Sequence, residues 1–240
     1  MKRFVFCTVL LSCFWATDLW GAGPSLMDLA QTEGFSSPVK LLLLLTVLAF
    51  LPALVLTMTC FTRLVIVFSL LRHAMGTQQA PPTQVMMGLA LFLTFFIMQP
   101  VWTQVNEQAL VPYLNEEIGG NEALEKALVP VRAFMLKQTR KTDLGLFVEL
   151  SKMPPPSKVA DVPTTVLIPA FITSELKTAF EISFLLYIPF LVIDMVVASI
   201  LMSMGMMLLP PIMISLPFKL MLFVLADGWN MVVKSLVESF

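Results

Sequence analysis

The chain has 240 residues, 58% hydrophobic and 13% charged, with a net charge of −1 and a mean hydropathy of +0.86. Soluble domains carry roughly 25% charged residues and about 45–50% apolar ones, so this is an integral membrane protein or a subunit of a densely apolar assembly, and nothing points to nucleic acid. One histidine, His73, and three cysteines leave no clustered set that could hold zinc or iron, so neither a metal nor a cofactor is expected.

Residues 1–22 read as a secretory signal peptide. Lys2 and Arg3 form a basic start, an apolar run follows, and small residues come at Gly21, Ala22 and Gly23. Bulky Trp20 makes the cleavage site imperfect, so an uncleaved anchor stays open. Cys7 and Cys13 would leave with the signal, which makes Cys60 the one cysteine of the mature chain. Residues 23–40 would be a periplasmic segment, in a bacterial inner membrane setting.

A first apolar helical hairpin is expected over 41–102. Residues 41–62 carry no charge, enough to cross a hydrocarbon core of ~30 Å at about 1.5 Å per residue, with Pro52 as a kink. Arg63 and Arg72 then sit in a short connection, which the positive-inside rule places on the cytoplasmic side. His73 falls in the same connecting loop. After the polar stretch GTQQAPP, Thr83 can cap a helix starting near Gln84.

Residues 103–165 are different in kind. The part from 104 to 161 holds eight acidic and seven basic side chains. Helical spacing of Leu124, Leu128, Val131 and Met135 predicts a helix over 121–139, which Pro130 should kink or split. A second amphipathic piece is predicted over 142–151, and Pro154, Pro155 and Pro156 make a stiff break. The segment reads as a small periplasmic helical domain. Phe134 and Phe147 either fill its core or touch another subunit.

A second apolar hairpin is expected over 166–240. Its middle, LMSMGMMLLPP, crowds Met202, Met204, Met206 and Met207 around Gly205 before a double proline. Methionine is flexible and conforms to changing surfaces, so the run is either core filler or a soft constriction at a hairpin tip. Ionisable groups in apolar segments usually face a partner or water. Counted from the turn at Pro210, Asp194 and Asp227 lie at similar depth, roughly 24 Å at 1.5 Å per residue. On the same count Lys219 is badly placed for Asp194 and better suited to another subunit. Lys177 can meet Glu181 one turn on. These charges are structural pairs or a proton or ion path. An aspartyl protease would need a paired acid and base, but the contexts VIDMVV and LADGWN lack a Gly-x-Gly-Asp pattern. No Ser/His or Cys/His set exists either, so no catalytic residue is assigned.

Two long stretches now carry a resemblance. Within 63–101 the chain reads FSLLRHAMGTQQAPPTQVMMGLALFLTFFIMQPV, and within 167–236 it reads LIPAFITSELKTAFEISFLLYIPFLVIDMVVASILMSMGMMLLPPIMISLPFKLMLFVLADGWNMVVKSL. Both closely resemble the FliP family of flagellar biosynthetic proteins, with the virulence type III secretion paralogues as the alternative. The resemblance implies an all-α membrane protein whose two long kinked hairpins assemble as a helical oligomeric cone, held largely above the membrane plane inside the basal-body ring. It implies a core, pore-forming subunit of the flagellar type III export gate, passing unfolded flagellar proteins across the inner membrane. Implied partners are other copies, as a pentamer, and FliQ, FliR and FlhB, besides lipid. By the same resemblance the pore gasket falls on Met204, Met206, Met207 and Leu208, where relatives often have methionine in the last position. Glu175, Asp194 and Lys219 match charged positions tied to assembly or export, and Phe134 and Phe147 lie in a region of self-association. A secondary transporter for a small solute or ion, motivated by Asp194, Lys219 and Asp227, and a purely structural scaffold remain as other readings.

Overall fold

The computed structural model describes residues 37–77, 80–153, 158–206 and 209–240. The expected signal peptide over 1–22, with Cys7 and Cys13, and Pro154 to Pro156, Met207 and Leu208 therefore lie outside the described residues. Every regular element among the described residues is helical: α1 (Ser37–Thr57), α2 (Phe61–Ala74), α3 (Thr83–Val105), a π-helical turn (Asn106–Leu110), α4 (Val111–Leu114), α5 (Gly120–Gln138), α6 (Lys141–Leu150), a 3-10 turn (Val159–Asp161), α7 (Thr164–Ser203), α8 (Pro211–Leu225) and α9 (Gly228–Glu238).

Helix α7 organises the rest. Its 40 residues span about 60 Å at 1.5 Å per residue, twice the ~30 Å of a hydrocarbon core. It is the one unbroken helix among the described residues that is long and apolar enough to cross a membrane; counting each bent helix pair as one span gives up to four. Its two halves have different surroundings. In the first half Leu167, Ala170, Phe171, Ser174, Glu175, Ala179 and Ser183 are buried at three- and four-residue spacing. Alanine and serine there let neighbouring helices come close. The second half exposes Phe184, Leu185, Met195, Val196 and Ile200.

The stripe Leu64, Val67, Phe68, Leu71 and Ala74 is the buried face of α2, and α2 packs more extensively on α7 than any other element does. Burying each large apolar side chain contributes about 1.5–3 kcal/mol, so this pair is the central seam. The middle segment packs on the same scaffold: Met135, Leu167 and Phe171 form a second core with Phe134 and Phe147 at its edge. Arg140 pairs with Asp143 at 3.3 Å, and Asp143 accepts a hydrogen bond from Ser174 on α7 at 2.7 Å.

Several expectations shift. Helix α5 runs through Pro130 without splitting. Pro100 does bend α3: the axes before and after residue 98 differ by 57°, because proline lacks the N–H and its ring crowds the carbonyl four residues back. Thr83 is the first residue of α3, with Pro82 at the cap position, and its hydroxyl accepts from Arg72 at 2.9 Å instead of capping the helix. Arg63 and His73 are not in a connection at all; both lie within α2. Helix α1 ends at Thr57 and α2 starts at Phe61, so Arg63 stands in the first turn of α2 just past that break, buried at 1% exposure: the charge marks a buried site and not a loop.

Candidate functional site

The methionine run lies where α7 stops and α8 begins. Gly205 has a φ of +73°, which glycine adopts without the cost borne by other residues. The Met206 N–H donates to Leu201 O at 3.0 Å and the Gly205 N–H to Met202 O at 3.1 Å. This six-to-one and five-to-two pair is the Schellman ending of a helix, with glycine in the left-handed place. Pro210 and Pro211 then set the start of α8. Met202 and Met204 are exposed and Met206 is half-buried. Met207 and Leu208 complete the run beyond the described residues.

About two and a half turns behind this loop, at ~3.6 residues per turn, a half-buried ion pair ties the two helices. Lys219, only 1% exposed, puts Nζ 2.6 Å from Asp194 Oδ2. Ser215 donates to Asp194 Oδ1 at 2.6 Å, and Lys219 donates further to Ala74 O at 3.1 Å. Phe190 meets Phe223 one turn deeper, so α7 and α8 run antiparallel. The expectation that Lys219 cannot reach Asp194 is thus overturned. Depth was counted from Pro210, but α7 already ends at Ser203. Counted from the true helix ends, both residues stand at the same height.

Asp227 is corrected as well. It is exposed, has a φ of +49° and donates its N–H to Val224 O at 3.1 Å, so it ends α8 as a left-handed residue, a place aspartate tolerates better than most. The α8 and α9 axes diverge there by 65°. Its carboxylate accepts from Asn230 at 3.1 Å, and it shares no site with Asp194.

A second buried polar centre holds Glu175, whose partner the sequence reading missed. Arg63 Nε donates to Glu175 Oε2 at 2.8 Å, and Nη2 reaches Oε1. Arg63 also donates to Ser239 O and Oγ at 3.0 and 2.9 Å and to Gln138 at 3.3 Å. Its guanidinium lies 3.7 Å from the centre of the Phe240 ring. Bidentate pairing and aromatic contact satisfy a charge that burial would otherwise penalise heavily. The signal was present in the sequence: Arg63 falls on the same helical stripe as Val67 and Leu71. Phe134 stacks on Phe240 and meets Phe171 edge-on, and Phe147 sits half-buried against the second core. Lys177 and Glu181 do pair, at 3.8 Å on the surface.

A model of the FliP family matches residues 44–236. The chain belongs to the FliP family. The flagellar biosynthetic protein FliP of Bacillus subtilis is 57% identical over 211 residues, 88% of this chain and 96% of that protein. The protein of the same name from Pectobacterium carotovorum is 53% identical over 230 residues, covering 95% and 89%. That from Aquifex aeolicus is 55% identical over 204 residues, covering 84% and 85%. The FliP family match includes Arg63, Glu175, Asp194, Lys219 and the methionine run, and ends before Ser239 and Phe240.

Proposed function

We propose that this chain is a pore-forming subunit of the flagellar type III export gate, in which several copies place their methionine loops around one axis. The observation that carries this is the position of Met204, Gly205 and Met206. They stand on a capped helix end, outside every described core, at the tip of an antiparallel pair braced by Lys219 and Asp194. The brace fixes the base of the loop while the side chains at its tip stay adaptable. A ring of methionines closes by apolar contact and dewetting, and unbranched thioethers re-form around a passing chain of any sequence. Met207 and Leu208 would complete the ring.

On this reading the mature chain works at the inner membrane within the basal body, its middle segment on the periplasmic side. Its kinked hairpins would pack as a pentameric cone with FliQ, FliR and FlhB, and unfolded flagellar proteins are the cargo. The apolar groove between α7 and α8, lined by Val192, Val196, Ile200, Ile214 and Phe218, suits helices of neighbouring subunits. Phe134 and Phe147 would support self-association indirectly, by holding α5 and α6 on α7.

Replacing Met206 and Met207 together by alanine is expected to raise ion leakage through the assembled, idle gate. Conductance measured across membranes carrying the complex tests this; leakage equal to the parent's rules the gasket out. Crosslinking from Met206 to a stalled export substrate separates a conduit from a scaffold.

A further inference from the structure

We infer that Gly76, at the end of α2, is a positioning residue for the methionine loop: the turn at 75–77 is the seat on which the first turns of α8 rest. The inference builds on the gate reading above. Gly76 has a φ of +77°. Its N–H donates to His73 O at 3.0 Å, and the Thr77 hydroxyl bonds Arg72 O at 3.4 Å, so the turn is held on both sides. A Cβ at this position would lie 3.7 Å from Ile212 Cγ1, 3.7 Å from Leu216 Cδ1 and 3.9 Å from Lys219 Nζ. These three side chains are spaced four and three residues apart and form one face of α8. All three therefore converge on a single glycine. Ile212 stands only two residues beyond Pro210, where the methionine loop ends.

The seat is fixed because α2 is fixed. Its apolar stripe is buried against α7, and the Arg63–Glu175 pair holds its other end. Lys219 fastens α8 down at the same spot by donating to Ala74 O, a carbonyl in the last turn of α2, where the helix dipole favours a cation. One side of the loop thus hangs from the capped end of α7, and the other is set by the depth to which α8 sinks onto Gly76. The stretch GTQQAPP, which the gasket itself leaves unexplained, begins with this seat.

The test is a pair of substitutions and their combination, in the full chain assembled with its gate partners. Gly76→Val would push the first turns of α8 outward, and Ile212→Ala would leave them slack. Each alone is expected to raise ion conductance of the idle gate several-fold. Together they should leak less than either, since the added volume fills the space removed. The backbone strain at φ +77° persists in the double variant, so recovery reports the contact and not the strain. Where Gly76→Val fails to assemble, Ile212→Ala alone decides, because it keeps the native turn and removes an exposed side chain. Parent-like conductance in that variant, or leaks that simply add in the double variant, overturns the inference. Met206→Ala with Met207→Ala in the same assay separates the two ideas: a leak there with tight seat variants sinks the seat alone, and no leak there sinks the gate reading.

Discussion

Arg63 and Glu175 show how much one residue pair can carry in so apolar a chain. Arg63 is 1% exposed and Glu175 fully buried, and together they join α2 and α7 to the end of α5 and to Ser239 and Phe240. Removing one member leaves the other charged and unpaired, which costs about 3–5 kcal/mol, whereas replacing both by apolar groups of similar volume is often neutral. Glu175→Ala should therefore sharply lower the thermal stability of the purified complex, and Arg63→Met with Glu175→Leu should restore most of it. Equal loss in the single and double variants would show that the pair acts through something other than charge compensation. Lys219 belongs to the same logic with one difference: its partner Asp194 keeps a third of its side chain exposed. That exposure leaves room for the brace to loosen in a way the Arg63 centre does not.

At the scale of elements, the breaks between helices decide the shape. The bend in α3 comes from Pro100, the end of α7 from Gly205, and the corner between α8 and α9 from Asp227 and Gly228. Gly228 has a specific steric reason to be glycine. A Cβ there would fall 2.3 Å from the Phe223 ring, which is packed edge-on to Trp229 with centroids 5.4 Å apart. Gly228→Ala should cost about 1–3 kcal/mol through overpacking. Gly88→Ala on α3, where nothing lies within 4 Å, should instead gain up to ~1 kcal/mol of helix propensity. Thermal unfolding of the two variants side by side checks the contrast. The helices were legible in the sequence wherever apolar spacing was regular, as in α5 and α6. Pro130 does not split α5, because the burial of Pro130 and Met135 outweighs the local preference of proline against a helix.

At the scale of the whole molecule, the chain leaves large apolar faces uncovered. Phe92, Phe95 and Phe96 on α3, Phe184, Leu185, Met195, Val196 and Ile200 on α7, and Met213, Val224 and Leu225 on α8 are all exposed. Contiguous apolar surface of this kind belongs against lipid or other subunits. Extracted in mild detergent with its partners, the protein should run as a large complex of several copies with small hydrophobic proteins. Light scattering that finds a stable monomer or dimer would favour a transporter instead.

The sequence by itself determined the helical class, the family and the tip on which the methionines stand, because composition, periodicity and long motifs are local properties of a chain. It also marked Glu175, Asp194 and Lys219, since a charge in an apolar run is conspicuous, but it left Arg63 in a connection. Only the tertiary structure decided how those charges pair. Arg63 meets Glu175 across 112 positions of sequence, and Lys219 finds Asp194 because α7 ends at Ser203, seven residues before the proline that a linear reading takes as the turn. Pairing depends on where helices stop and which faces meet, and both are settled by packing between segments far apart in the chain.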